Sequence, residues 1–320
     1  MIRINNVKLQ LGFTEADVRS VIKKTLKTDK EFEYIFFKLS LDDRRRNQVK
    51  YIASIDVDVP NPEKLLKRLH NNNVMLTNAT QYRFPEPGNV KMTYRPVVIG
   101  TGPGGLFAAL YLARAGYRPV VFERGMDVDR RMEHIERFWK GEEGLDPNCN
   151  VQFGEGGAGT FSDGKLNTGV RDIRIHWVLQ QLVSAGAPEE ILYDAKPHIG
   201  TDVLVHVVQT LRRTIESHGG EVHFETQLTD LKTEGGAISA AQTNHGSIPC
   251  SALILATGHS ARDTYEMLDC LGVPMTPKAF SMGVRIEQLQ SRINHTQYGD
   301  AAALLPPASY KLACHLPDGS

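Results

Sequence analysis

The residues of this chain best suited to chemistry come as a strand, a glycine turn and an acid in fixed order. Pro96-Val97-Val98-Ile99 is an apolar, β-branched run leading into Gly100-Thr101-Gly102-Pro103-Gly104-Gly105, and Leu106–Ala115 follows with small and apolar residues at helical spacing. Strand, Gly-x-Gly-x-x-Gly and helix in that order suit a dinucleotide's pyrophosphate. Gly100 permits the tight turn, Gly102 lets the main chain touch the phosphates, and Gly105 lets the helix lie close on its strand. Amides freed at the helix start point at the anion, and the helix dipole adds to the attraction. Gly116 ends that helix and Arg118–Phe122 forms the next strand. Glu123 then stands 23 residues after Gly100, where a carboxylate accepts hydrogen bonds from ribose hydroxyls. An acid there disfavours the extra phosphate of NADP but does not by itself separate FAD from NAD.

Gly154-Glu155-Gly156-Gly157-Ala158-Gly159 fits the same glycine pattern in a different setting. Pro147-Asn148-Cys149-Asn150 precedes it and Thr160-Phe161-Ser162-Asp163-Gly164 follows, so it has neither the strand nor the helix that a phosphate turn needs. Of the 28 glycines, 14 lie between Gly100 and Gly169. Packing alone does not readily explain that density, which asks for close backbone approach or positive φ. Four other candidates read as structural. His259, Arg262 and Asp263 suit a solvated helix start, and His176 beside Trp177 suits packing or surface. Cys149, without a partner cysteine, suits an inert thiol. Gly299-Asp300 follows the polar Arg292–Tyr298 with no strand pattern, and so reads as a loop.

The elements that must position these residues fall into two groups. Ile2–Leu11 is strand-like, Thr14 caps a helix to about Lys27, and Val18, Val21, Ile22 and Leu26 share one face of it. Phe32–Leu41 and Val49–Val59 flank a polar turn, Asp42–Asn47, as a hairpin; Glu63–His70 is helical and Val74–Phe84 a last strand. This is a βαββαβ order, a ferredoxin-like plan. Phe84-Pro85-Glu86-Pro87-Gly88 is a stiff connector. Beyond the glycine turn, a helix over Val203–Ser217 leads to a strand at Glu221–Thr226, two strands surround Gly235-Gly236, and Ser251–Ala256 is a short apolar strand.

Composition bounds what such a chain does. With 320 residues, 41% hydrophobic and 23% charged, it is neither disordered nor collagen-like. No apolar run reaches the roughly 18 residues of a membrane span, and the N-terminus lacks a signal-peptide plan, which reads as a cytoplasmic protein without membrane contact. Four scattered cysteines form no Cys-x-x-Cys pair, so neither zinc nor dithiol chemistry is indicated, and a reducing compartment fits. Zero net charge argues against a nucleic-acid coat. Residues 1–85 nonetheless carry 16 Lys and Arg against 10 Asp and Glu, so the remainder is acidic.

Val97–Gly125, ending Glu123-Arg124-Gly125, resembles the FAD-binding start of two-dinucleotide-fold flavoproteins, and Leu253-Ile254-Leu255-Ala256-Thr257-Gly258 resembles their later Ala-Thr-Gly signature. The stretch Asn150–Leu166 is similar to a hallmark of bacterial proteins described as uncharacterised FAD-dependent dehydrogenases, NAD(P)/FAD-dependent oxidoreductases with a small N-terminal α/β domain. The resemblance implies an α/β fold: a ferredoxin-like α+β domain over residues 1–85, then a Rossmann-like FAD-binding domain over 86–320. That second domain would carry a substrate-side insertion at about 130–250 and be incomplete at its C-terminus. It implies FAD held by Gly100, Gly102, Pro103, Gly104 and Gly105 at the pyrophosphate and by Glu123 and Arg124 at the ribose end. Leu228 would lie near adenine, with Thr257 and Gly258 at the Ala-Thr-Gly strand end. Gly154, Gly156, Gly157, Ala158, Gly159, Ser162 and Lys165 would pass near the flavin ring, where donors stabilise the reduced form.

The function so implied is an FAD-dependent oxidoreductase in which a donor passes hydride to flavin N5. Its substrate and electron acceptor are unidentified, with NAD(P)H a candidate, and the sequence names no catalytic acid or base. The late Gly-Asp motif of such flavoproteins has no counterpart here, so this chain is expected to be truncated, to hold flavin weakly and to turn over poorly or not at all. Two other classes stay open. One is a non-catalytic flavin or nucleotide sensor; the other is an RNA-associated protein acting through the basic N-terminal domain, although the stacking aromatics of an RRM are not in order.

Overall fold

The computed structural model describes residues 1–45, 48–78, 82–161, 164–166, 168–279 and 286–308. They form two compact units. One draws on Met1–Thr80, Tyr193–Ala195 and Ala279–Ser320, the other on Gln81–Leu192 and Lys196–Lys278.

In the first unit the chain runs β1 (Ile2–Leu9), α1 (Glu15–Leu26), β2 (Tyr34–Asp42), β3 (Lys50–Val57), α2 (Pro62–Leu69) and β4 (Val74–Leu76). The sheet order is β2-β3-β1-β4, with every neighbouring pair antiparallel. Thr14 caps α1 as a capping box with Asp17, and Lys27 closes the helix in a left-handed conformation. Alternation along the strands turns Ile2, Ile4, Ile55 and Val57 onto one face, where they join Val18, Ile22 and Leu26 of α1 in a shared core. Arg3 and Asp56, paired across β1 and β3, point the other way and form a bidentate ion pair at 2.6 and 2.8 Å.

The last strand of this unit is much shorter than the expected Val74–Phe84. Leu76 pairs with Ile2 and the Thr77 amide reaches the Met1 carbonyl. At that point β1 has no further residue to pair with. Residues Tyr193–Ala195 run along Leu39 of β2, whose amide donates to the Tyr193 carbonyl at 2.7 Å. Arg44 of the basic turn is paired with Asp42 at 2.7 Å, while Arg46 lies outside the described residues.

The second unit contains β5 (Val97–Ile99), α3 (Pro103–Arg114), β6 (Val120–Phe122), α4 (Val128–Trp139), α5 (Arg174–Ser184), α6 (Thr201–Ser217) and β7 (Glu221–His223). It continues through β8 (Leu228–Glu234), β9 (Ala237–Thr243), β10 (Gly246–Pro249), β11 (Leu253–Leu255) and α7 (Arg262–Cys270). A parallel sheet in the order β11-β5-β6-β7 lies at its centre. Part of the stretch 130–250, expected as an insertion, therefore belongs to the sheet itself through β7 and the α6 that leads into it. The strand at Glu221 stops at His223 rather than Thr226, because Glu225 takes a positive φ of 54° and the Thr226 amide crosses to the Glu123 carbonyl.

The two faces of this sheet are covered differently. Val98 and Val121 face Leu106, Leu110, Leu211 and Ile215 of α3 and α6. Their neighbours Val97, Ile99, Val120 and Phe122 face Leu228, Leu231 and Ala241 of the antiparallel β8–β10 sheet, with Leu268 of α7. The architecture is a Rossmann-like α/β layer structure with helices on one face and a second sheet on the other, where a doubly wound plan would put helices on both. Short three-residue strands force this economy: each presents a period-two alternation that is apolar on both sides. Helix α8 (Gln290–Tyr298) and the 3₁₀ turn Gly299–Leu304 group with the first unit. Gly299-Asp300 thus opens a 3₁₀ turn directly after a helix, not a strand, where a loop was expected. Among the described residues no helix is long and apolar enough to cross a membrane.

Leu110 is fully buried between β5, β6 and the helices. Leu110→Ala is expected to destabilise this unit by about 2–5 kcal/mol, read as a lower urea midpoint with an unchanged slope.

Candidate functional site

At the carboxyl ends of β5, β6 and β11, within the second unit, a cavity of about 380 Å³ opens. The sequence dictates why it lies there. Gly100 turns the chain at the end of β5 with φ of 97°, and a side chain on it would lie 2.5 Å from the Ala256 carbonyl. A methyl on Gly105 would lie 1.8 Å from the Gly100 carbonyl. The two glycines therefore bring the start of α3 down onto the strand ends. Gly102 differs. It has extended geometry, and a methyl there would meet no protein atom within 4 Å, because that flank faces the cavity. Helix α3 begins with Gly102 as an uncapped start, Pro103 in the first turn and no acid there, so its free amides are available to an anion.

Of the residues expected at the site, Gly100, Gly102, Pro103 and Gly104 form one wall of the cavity, and Glu123 with Arg124 forms another. Gly154, Gly157 and Ala158 line it from the second glycine loop, and Leu228, Thr257 and Gly258 from the far side. Four others stand elsewhere. Gly105 is buried beneath the turn, Gly156 and Gly159 do not line the cavity, and Lys165 is exposed and bridges to His198. Ser162 lies outside the described residues.

Glu123 is buried at 4% exposure, and its acceptor positions are taken by protein donors. Oε2 accepts from the Thr101 amide at 2.8 Å and the Thr101 hydroxyl at 2.7 Å. Oε1 accepts from the amides of Gly125 at 3.0 Å and Gly154 at 3.1 Å. One carboxylate thus ties together the phosphate turn, the turn after β6 and the second glycine loop. Arg124 is held just as firmly. Its guanidinium lies over the Phe153 ring at 4.6 Å and donates to Asp263 at 2.7 Å. Asp263, expected as part of a solvated helix start, is therefore an anchor, and Gln227 donates to the same oxygen at 2.8 Å. Burial pushes the Asp263 carboxyl up, but the hydrogen bonds and charge of Arg124 outweigh this and hold it below its ordinary value. His259 lines the cavity too, whereas His176 is exposed.

The second glycine loop uses its glycines for the positive φ that Gly154, Gly156 and Gly157 adopt, as expected, and also for packing, which was not. A methyl on Gly154 would lie 2.5 Å from Cδ of Arg131, one on Gly156 would lie 2.4 Å from Thr160, and one on Gly125 would lie 2.6 Å from Gly154. Sequence reasoning overlooked Arg131, which is fully buried beneath this loop. Burial draws its guanidinium down to about 10 against the opposing charges nearby. Glu155 beside it is also buried, accepting from the Val128 amide and Arg212, each at 2.8 Å, and burial pushes its carboxyl up. The signal available was an arginine on the apolar face of an amphipathic helix. Cys149 is buried and its thiol is raised by burial, which makes it a poor nucleophile.

Two family models match this chain. Residues 98–146 match the NAD(P)-binding Rossmann-like domain, and residues 279–320 match the FAD-dependent protein, C-terminal domain-like family. An uncharacterised protein of Clostridium beijerinckii is 45% identical over 301 residues, covering 93% of this chain and 56% of the relative. The chain therefore spans about half the length of the curated relative it matches. Among solved structures, glycine oxidase from Bacillus cereus is similar with a TM-score of 0.37 at 12% identity, over 57% of this chain and 59% of that one. L-amino acid deaminase from Proteus vulgaris gives 0.36 at 14%, over 62% and 59%. The matched models describe a Rossmann-like dinucleotide fold and a C-terminal domain of FAD-dependent proteins, in line with FAD as the cofactor.

Two expectations follow from this geometry. Gly154→Ala, facing both the Arg131 contact and a φ of 110°, is expected to cost at least about 1–3 kcal/mol, measurable by urea unfolding. The lowered Asp263 pKa stabilises the fold at neutral pH, and that contribution fades as pH falls through the folded value. The stability gap between wild type and Asp263→Asn, about 1 kcal/mol or less for this part-exposed pair, should accordingly close in acid when unfolding is followed against pH.

Proposed function

We propose that the cavity at the end of β5 takes the adenosine diphosphate half of FAD, and that the chain serves an FAD-dependent oxidoreductase of the cytoplasm. The observation that carries this reading is the bare flank of Gly102, open to the cavity beside an uncapped helix start. Protein packing does not demand glycine there, whereas close approach of a pyrophosphate does. The Gly104 amide at the start of α3 would hold the phosphates, and Arg124, fixed by Asp263 and Phe153, would border the adenosine end with Leu228.

Glu123 would meet the ribose. All four of its acceptor positions are engaged, so a ribose hydroxyl must displace a donor, and the Thr101 hydroxyl is free to rotate away while the three amides are fixed. A negatively charged, protein-saturated Glu123 leaves no room for a ribose phosphate, which favours FAD or NAD(H) over NADP(H) at this turn. FAD, when bound, supplies a two-electron acceptor at flavin N5. The roles proposed here for these residues are to bind and orient the cofactor.

The test is a spectrum of the purified protein with and without added FAD, followed by anaerobic titration with NADH. Wild type is expected to bind FAD with absorbance near 450 nm. Gly102→Ala should unfold at the wild-type urea concentration yet bind FAD at least about tenfold more weakly, roughly 1.4 kcal/mol. Equal FAD affinity in the two proteins would overturn the placement of the pyrophosphate.

A further inference from the structure

Arg131 is the largest fully buried side chain described in the molecule, and its surroundings are unusual for a cation. Stripping a guanidinium of water is costly unless its N–H groups are met. Nε and Nη2 both donate to the Asn150 carbonyl, at 3.0 and 2.9 Å. Nη1 donates to the carbonyls of Glu155 at 2.7 Å and Gly157 at 2.9 Å, to the Thr160 hydroxyl at 2.9 Å, and more loosely to the Gly154 carbonyl at 3.4 Å. All of these acceptors lie on one stretch, residues 150–160. The ring of Phe161 covers the guanidinium at 4.7 Å.

An apolar side chain of the same volume could fill this space, but it would leave four buried main-chain carbonyls without their donor and could not turn them inward. In a trans peptide the N–H points opposite to the carbonyl that precedes it. With the Gly154 and Glu155 carbonyls held on Arg131, the next two amides project outward, and there they donate to the Met126 carbonyl at 3.1 Å and the Thr101 carbonyl at 2.9 Å. The second of these bonds joins the second glycine loop to the phosphate turn. The Gly157 carbonyl is held the same way, and Gly157 and Ala158 line the cavity. A methyl on Gly157 would lie 3.2 Å from Cα of Gly102, so this wall stands directly against the turn.

We propose that Arg131 is a positioning residue for FAD: it fixes the loop 154–158 as the cavity wall beside the phosphate turn, without itself touching the cofactor. The assignment rests on the reading that the cavity takes FAD. Arg131→Lys keeps the charge and loses the fork, and Thr160→Val removes a single acceptor. In hydrogen exchange, which needs no ligand, Arg131→Lys should expose the amides of 154–160 at least tenfold faster while those of the β8–β9 hairpin keep their wild-type rates. The same variant should bind added FAD at least tenfold more weakly and blur the structure of its 450 nm band. Should Arg131→Lys fail to fold, Thr160→Val should show the same local exchange pattern to a smaller degree, about threefold. Uniformly faster exchange across the unit would reduce Arg131 to a general stabiliser and overturn the proposal, as would wild-type exchange and affinity. Wild type that binds no FAD, with local exchange in the variant as expected, would sink the cofactor reading and leave the loop-positioning role standing without a flavin.

Discussion

A buried carboxylate needs hydrogen-bond donors for its oxygens, and Glu123 finds them in three separate loops. Thr101 comes from the turn after β5, Gly125 from the turn after β6, and Gly154 from the second glycine loop. None of these turns has enough apolar surface to fix itself. The charge gives them a common point of attachment, and the cavity takes its shape from where they meet. Glycine at 125 and 154 follows from the same constraint, since the two backbones approach more closely than any side chain would allow.

The site is therefore supported from two directions. Glu123 accepts from the Gly154 amide, and Arg131 donates to carbonyls of residues 150–157, so the loop between Asn150 and Thr160 is tied to a buried carboxylate and to a buried guanidinium. The two groups form no ion pair with each other among the described residues. Each is satisfied by the main chain, which makes the loop's path depend on both. A loop held this way has little freedom to adjust, consistent with its positive φ at Gly154, Gly156 and Gly157. Preorganisation of that kind lowers the ordering cost of binding at this wall.

Much of this was legible in the sequence, and the limits have physical causes. The strand, turn and helix at 97–114 could be read because each glycine in Gly100–Gly105 answers a local need: a turn, an open flank, a close helix. Helix α1 was readable for a similar reason, since Thr14 and Asp17 lie three residues apart and their cap is local. Strand β4 was misjudged in length because its end is set by the first residue of β1, more than 70 positions away. Covering one sheet face with β8–β10 depends on which side of Val97 and Val120 those strands land, which no local pattern records. The glycines of the second loop looked like preparation for a ligand, whereas the atoms nearest most of them belong to Arg131, Thr160 and the backbone of neighbouring turns.

The same contrast separates the two glycine loops by function. Where a side chain would strike the protein, as at Gly105 or Gly154, glycine reports the fold. Where a side chain would strike nothing, in extended backbone that alanine also adopts, and the open flank borders a cavity, glycine is not accounted for by protein packing. Gly102 meets both conditions for the second class, and it lies at the amino end of a helix with neither cap nor acid. The Rossmann-like match over 98–146 covers this turn, Glu123 and Arg131 together, so the phosphate turn and the two charges that shape its surroundings belong to one continuous stretch of chain. On the reading proposed above, the ligand of this stretch is anionic at the helix start and brings a hydroxyl that displaces the Thr101 hydroxyl from Glu123. A dinucleotide carries both groups at a separation that its own covalent structure fixes.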